Sequence, residues 1–171
     1  MPELFGEHAD GFMSVCRLAG IESLSNSIRI YQELLDYVSA SPTYLVVDES
    51  LLIKNLQAYR TKHVIDISKK CEYKLILNGT PISKNEGDLF AQWYVLDWRI
   101  LGYHSFWSFS ANHLEYDRER PGKVVRTHNV DYLTRKIAPY TYECDKPELP
   151  PKRFVSCPFY LTPEQDKHYE D

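Results

Sequence analysis

Paired cysteines, an excess of basic charge and long apolar runs are all missing from this chain. Its four cysteines, Cys16, Cys71, Cys144 and Cys157, nowhere form C-x-x-C, and no histidine stands at zinc-site spacing from them, which speaks against zinc. Met1-Pro2-Glu3-Leu4 carries no secretory signal, so scattered thiols point to a reducing cytoplasm. No apolar stretch approaches the roughly 20 residues that a bilayer span needs, and no membrane partner is expected. The formal net charge is -4, so any nucleic-acid contact has to come from a local patch. Glycine is scarce as well. There are seven in 171 residues, and only Gly122 is followed by lysine. Asp117 stands where a Gly-x-x-x-x-Gly-Lys-Ser/Thr loop would begin, and Val124 where it needs a hydroxyl, so that phosphate-binding loop is absent.

What is present describes a packed protein. Hydrophobic residues make up 43% of the chain and aromatics 13%, enough for one domain with a substantial core. Ser25-Asn26-Ser27 offers several helix caps, and Ile28, Tyr31, Leu34, Leu35 and Val38 follow at helical spacing until Ser41-Pro42. Thr43-Tyr44-Leu45-Val46-Val47 and Tyr73-Lys74-Leu75-Ile76-Leu77 read as strands buried on both faces of a parallel sheet. Helices are predicted between them, from about Leu56 to Lys70, and after them, from Asp88 to Asp97. Phe12 to Ala19 is apolar enough for a further strand. The alternation of strand and helix implies an α/β fold with a mainly parallel sheet flanked by helices, with ligands off the carboxyl ends of the strands.

Two polar motifs fall at those ends. Asp48-Glu49 follows the first strand, and Asn78-Gly79-Thr80-Pro81 follows the second. Two carboxylates emerging from a fixed strand can hold Mg²⁺ through water and orient an attacking water. In the second motif Gly79 permits a tight turn, Thr80 offers a hydroxyl and Pro81 sets the exit. Taken singly, each is also an ordinary strand end.

The order of the motifs is more specific. Val46-Val47-Asp48-Glu49-Ser50, Ile53-Lys54-Asn55, Leu77-x-Gly79-Thr80-Pro81-Ile82, Asn85, Asp88-Leu89-Phe90 and Leu96-Asp97 succeed one another. This succession resembles the first RecA-like lobe of the Swi/Snf-type DNA-dependent ATPases, in helicase superfamily two with the DEAD/DEAH-box proteins. Ile21-Glu22-Ser23-Leu24-Ser25 and the run from Leu149-Pro150-Pro151-Lys152 to Leu161-Thr162-x-Glu164-Gln165 are similar to small phage-associated members. The likeness extends from about Phe12 to Tyr169 and implies a partial RecA-like lobe. It makes Asp48 the Mg²⁺ carboxylate, Glu49 the catalytic one, and Gly79, Thr80 and Pro81 the motif coupling nucleotide state to DNA contact. Lys54 and Asn55 match a supporting Lys-Asn. Ser50 departs from the family's Ala, Leu51 from His, Asn78 from Thr and Lys84 from Asn, which bears on the coupling step more than on Mg²⁺.

The resemblance further implies DNA as partner, with ATP and Mg²⁺ as cofactors of a complete protein. That protein would supply the phosphate loop upstream and a second RecA-like lobe with an arginine finger downstream. On this reading residues 1–148 are the C-terminal part of lobe one. Residues 149–171 are a linker, an edge strand over Phe154 to Leu161 limited by Pro158, and the start of a helix capped by Thr162, Pro163 and Gln165, cut short as if the chain normally continues. The chain alone is expected to be inactive, and an exposed sheet edge allows self-association. The alternative is a non-catalytic DNA- or protein-binding remnant.

Arg118 to Lys136 carries six basic residues around a Pro121-Gly122 turn, with a short helix through Val130, Leu133 and Ile137 ended by Pro139. Lys123, Arg126, Arg135 and Lys136 are the candidate phosphate contacts, against a solvated face as the plainer reading. Tyr103, Phe106, Trp107 and Phe109 could stack bases, but core packing is the favoured reading. His104 and His113 read as surface or capped positions. A third reading, an unrelated α/β domain with chance motifs, predicts no parallel sheet bringing Asp48 and Gly79 to one edge.

Overall fold

A computed structural model describes residues 15–144, 151–162, 165 and 167. The chain divides into two compact units, Met1–Thr141 and Tyr142–Asp171. In the first unit, a short helix α1 (Ser23–Asn26) precedes α2 (Ile28–Ala40). Of the three candidate caps, Ser27 does the work: its Oγ accepts from the Ile30 amide at 3.3 Å, and Ser41 closes the other end. Strand β1 (Tyr44–Val47) follows, then a 3₁₀ turn (Ser50–Ile53), α3 (Tyr59–Ser68) and β2 (Tyr73–Ile76).

β1 and β2 pair in parallel, Tyr44 opposite Tyr73 and Val47 opposite Ile76. Only one face of the pair is covered. Val47 is 4% exposed, whereas Tyr44 and Tyr73 are each 58% exposed and stack on one another at 6.0 Å. Val46, Leu75 and Leu77 are exposed too. The expectation of burial on both faces is therefore corrected: the two strands alternate, because the described helices pack on one side only.

Helix α4 (Gly87–Leu101) sits centrally, with Leu89, Phe90, Ala91, Gln92, Trp93 and Val95 all buried. A helix buried on so many sides belongs between two cores. Val95 joins Val38, Val47, Ile53 and Val64 in one cluster. Leu89, Phe90 and Trp93 join Ile100, Phe109, Leu114 and Leu133 in the other. The helix breaks at Asp97, whose backbone is extended. Asp97 Oδ1 caps the next turn through the Arg99 amide at 2.9 Å, and the Lys74 ammonium donates to the Leu96 carbonyl at 3.0 Å.

After Gly102, whose φ of 83° ends α4, come α5 (Phe106–His113), β3 (Leu114–Tyr116), β4 (Val124–Thr127) and α6 (Val130–Ile137). β3 and β4 are antiparallel, with a bulge between Glu115 and Tyr116. Their connection turns at Gly122, φ 83°, as Pro121-Gly122 foretold. This hairpin corrects the expectation of a mainly parallel sheet. Among the described residues there are two separate two-stranded sheets, one parallel and one antiparallel, within a mixed helix and strand fold.

The aromatic group after Gly102 divides. Phe109 is fully buried and packs with Phe90, Phe106 and Tyr103, while Trp107 is 80% exposed. His113 is not a surface position but 1% exposed. Its Nδ1 donates to the His128 carbonyl at 3.0 Å, and its Nε2 pairs with the Tyr103 hydroxyl at 3.0 Å. The polar atoms make it a satisfied core residue, which period alone could not reveal. Burial, with a smaller contribution from Tyr132, pushes the Tyr103 hydroxyl above its ordinary pKa.

Two expected strands are absent among the described residues. Residues 16–20 have no regular structure, and Leu18 is 93% exposed; Phe12 to Ser14 lie outside the described residues. In the second unit, residues 151–160 are likewise irregular, and Phe154 and Tyr160 are exposed. The helix start after them keeps its reciprocal cap. The Thr162 amide donates to Gln165 Oε1 at 3.0 Å, and the Gln165 amide to Thr162 Oγ1 at 3.4 Å. Pro163, Glu164 and the linker residues Glu148, Leu149 and Pro150 lie outside the described residues. Among the described residues, no helix is long and apolar enough to cross a membrane.

Candidate functional site

The parallel register delivers both polar motifs to one sheet edge. Val47 and Ile76 are partners, so Asp48-Glu49 and Leu77-Asn78-Gly79-Thr80 leave the strands side by side. Backbone bonds hold the two turns together: the Leu77 amide donates to the Val47 carbonyl at 2.9 Å, and the Ser50 amide to the Leu77 carbonyl at 3.0 Å. A chance pairing of motifs in an unrelated domain has no reason to produce this edge.

At the acidic turn the backbone reverses sharply. Glu49 takes a left-handed conformation, φ 49° and ψ 50°, which disfavours residues with a Cβ. Asp48 Oδ1 accepts from the Glu49 amide at 2.9 Å. Both acids are exposed, and neither makes an ion pair among the described residues. Two adjacent carboxylates with oxygens open to solvent fit a hard divalent cation such as Mg²⁺. A phosphate cradle has no such counterpart, since the sequence contains no glycine-rich phosphate loop.

The second turn differs from its sequence reading in one respect. A Cβ placed on Gly79 would meet nothing within 4 Å, and the residue has no positive φ. Nothing in the described residues demands glycine there. Space is tighter at Gly87, where a Cβ would lie 2.7 Å from Asn85 Oδ1 and 3.1 Å from Leu114 Cδ1, so that these side-chain tips would have to shift.

Beneath the turns lies a polar network absent from the sequence reading. The Gln92 side chain, on a residue 0% exposed, uses its full hydrogen-bonding capacity. Oε1 accepts from Ser50 Oγ at 2.8 Å and Asn78 Nδ2 at 3.0 Å. Nε2 donates to the carbonyls of Pro81 at 2.8 Å and Asp88 at 2.7 Å. Asn78 Nδ2 also donates to Ser50 Oγ at 3.2 Å, while its Oδ1 accepts from the Thr80 amide at 3.3 Å. A glutamine inside the apolar run Leu89-Phe90-Ala91-Gln92-Trp93 was the available signal.

Lys54 closes the outer side. Its ammonium donates to the Ser83 hydroxyl and pairs with Asp88 Oδ2 at 3.6 Å. Asp88 also accepts from the amides of Ser83 at 2.8 Å and Lys84 at 2.9 Å. Burial pushes the Asp88 pKa up, but the Ser83 and Lys84 amides, the Ser83 hydroxyl and the Lys54 charge outweigh it and hold the carboxyl below its ordinary value.

The candidate phosphate contacts lie elsewhere. Lys123 precedes β4 and Arg126 is on it, opposite Glu115. Arg135 and Lys136 occupy the last turn of α6, and Lys136 lies over the Tyr132 ring at 5.6 Å. All four are exposed.

The model of the SNF2-related domain matches residues 17–171. The chain is also similar to the SWI/SNF-related matrix-associated actin-dependent regulator of chromatin subfamily A-like protein 1 homolog of Caenorhabditis elegans, 33% identical over 63 residues. That stretch is 36% of this chain and 9% of the relative, so the matched part spans a small share of that curated protein. No solved structure matches. With the acidic and Gly-Thr-Pro turns side by side and a family match over most of its length, the chain belongs to the SNF2-related domain family, of the Swi/Snf type within the helicase superfamily.

Proposed function

We propose that this chain forms part of the first lobe of an ATP-dependent DNA translocase or helicase, with Asp48 and Glu49 as its hydrolytic acids. The observation that carries the reading is the parallel β1–β2 pair with both motifs at one carboxyl edge. Asp48 would hold Mg²⁺ through water, and Glu49 would orient and deprotonate a water. When bound, the cation would neutralise phosphate charge beside the two acids. Gly79, Thr80 and Pro81, exposed or half-buried, form the turn that would change position with DNA contact. Lys123, Arg126, Arg135 and Lys136 would contact DNA phosphates.

The chain by itself neither cradles phosphates nor supplies an arginine finger, a group worth roughly 10³–10⁵ in rate. Its own turnover should be negligible. The uncovered face of β1–β2, with Tyr44, Val46, Tyr73 and Leu75 exposed, fits a lobe whose remaining part packs there. The test is to combine the chain with separately produced phosphate-loop and second-lobe segments. DNA-stimulated ATP hydrolysis should appear and should be abolished by Asp48→Ala. Hydrolysis that ignores Asp48→Ala, or none at all in the combined sample, sinks the reading and favours a non-catalytic binding remnant.

A further inference from the structure

We infer that Gln92 is a positioning residue that fastens the catalytic turn to the coupling turn, an inference resting on the function proposed above. The Gln92 amide is joined to both turns and to its own helix. Its oxygen holds Ser50, the neighbour of Glu49, and Asn78, the neighbour of Gly79. Its nitrogen holds the Pro81 carbonyl. The chain of bonds runs from the Thr80 amide through Asn78 to Ser50, and back through Gln92 to Pro81.

The orientation of the amide is forced. Reversed, its NH₂ would face the Asn78 NH₂, and its oxygen would face two carbonyls. With no exposure to solvent, no water can take over a lost partner cheaply. A displacement of Thr80–Pro81 must therefore either drag Ser50 or break a buried bond.

Two of the four departures from the family's residues, Ser50 for Ala and Asn78 for Thr, acquire a reason here. They are the two side chains that satisfy the Gln92 oxygen. Leu51, in the position of the family's His, has removed one polar link from the acidic turn. The Ser50–Asn78–Gln92 triad gives that turn an internal link, anchored in α4 and independent of a second lobe.

The experiment compares the full chain and its variants, each supplied with phosphate-loop and second-lobe segments, by kcat and KM for ATP with DNA present. Gln92→Met fills the same volume without polar atoms. It should lower kcat by roughly tenfold to a hundredfold, as a misplaced reacting group does, with KM for ATP unchanged. Gln92→Glu keeps the acceptor for Ser50 and Asn78 but turns a second oxygen toward the Pro81 and Asp88 carbonyls, and should lower kcat at least as far as Gln92→Met. Should Gln92→Met fail to fold, Ser50→Ala removes a single hydroxyl and should show the same split on a smaller scale. Unchanged kcat in Ser50→Ala and the Gln92 variants, while Asp48→Ala still abolishes turnover, overturns the positioning role and leaves the proposed function standing. A parallel rise in KM, reporting general loosening of the site, overturns it as well. Turnover insensitive to Asp48→Ala defeats the functional reading itself.

Discussion

Lys54 and Asp88 form an ion pair at 3.6 Å, and it crosses from the turn after the acidic motif to the first turn of α4. The pair is reinforced on the Asp88 side by two backbone amides, so the carboxylate organises the Ser83–Lys84 loop as well as meeting the lysine. A hydrogen-bonded charge of this kind, mostly buried, contributes more than a surface pair does.

Replacing Asp88 should therefore have a pH-dependent cost. Asp88→Asn is expected to destabilise the chain by about 1.5–3 kcal/mol near neutrality. The folded-state pKa lies below the ordinary 3.8, so the contribution is complete above that value and drains away as the pH falls through the lower, folded one. Urea unfolding of both proteins near neutrality and in acid should show the gap narrowing. An equal gap at both acidities contradicts the assignment.

Gly79→Ala should leave thermal unfolding unchanged, because the added methyl meets nothing within 4 Å and the φ is ordinary. Any loss should appear only in DNA-stimulated hydrolysis by the combined segments, where another group can approach the turn. A fall in unfolding temperature instead would mean that the chain itself needs glycine there.

The aromatic group predicts opposite outcomes at two residues. His113→Ala empties a buried site and strands the Tyr103 hydroxyl, for about 2–4 kcal/mol. Trp107→Ser, at an 80% exposed position, should change stability by less than about 0.5 kcal/mol. Denaturant midpoints separate the two directly.

DNA contact through Lys123 and Arg126 should be electrostatic. Each alanine substitution is expected to weaken binding for all sequences alike and to reduce the salt slope by about one. Fluorescence anisotropy across a salt series measures it, and an unchanged slope assigns these side chains to a solvated face.

Much of this architecture was legible from local signals. Ser27, Ser41-Pro42, Pro121-Gly122 and the Thr162–Gln165 cap are short-range chemistry, and each acts where the chain places it. The acidic and Gly-Thr-Pro turns were found by their order along the chain. What escaped depends on contacts between distant segments. Burial of one strand face rather than two is set by which helices pack on it. The β3–β4 pairing comes from a hairpin whose strands are too short to show a period. Gln92 looked like an interruption in an apolar helix, and its meaning came from Ser50, Asn78 and Pro81, remote in sequence and adjacent in space.

The left-handed backbone at Glu49 sets activity against stability at the residue proposed for hydrolysis. An L-residue in that conformation costs about 1–2 kcal/mol, and glycine does not incur it. Evolution toward a more stable fold would thus be drawn to glycine at the position where the proposed hydrolysis needs an acid. Glu49→Gly should unfold at a higher temperature than the parent while losing all turnover in the combined segments. Glu49→Gln should lose turnover with no gain in stability. Under the proposed role, a carboxylate retained at this turn sets chemistry over the fold's own preference.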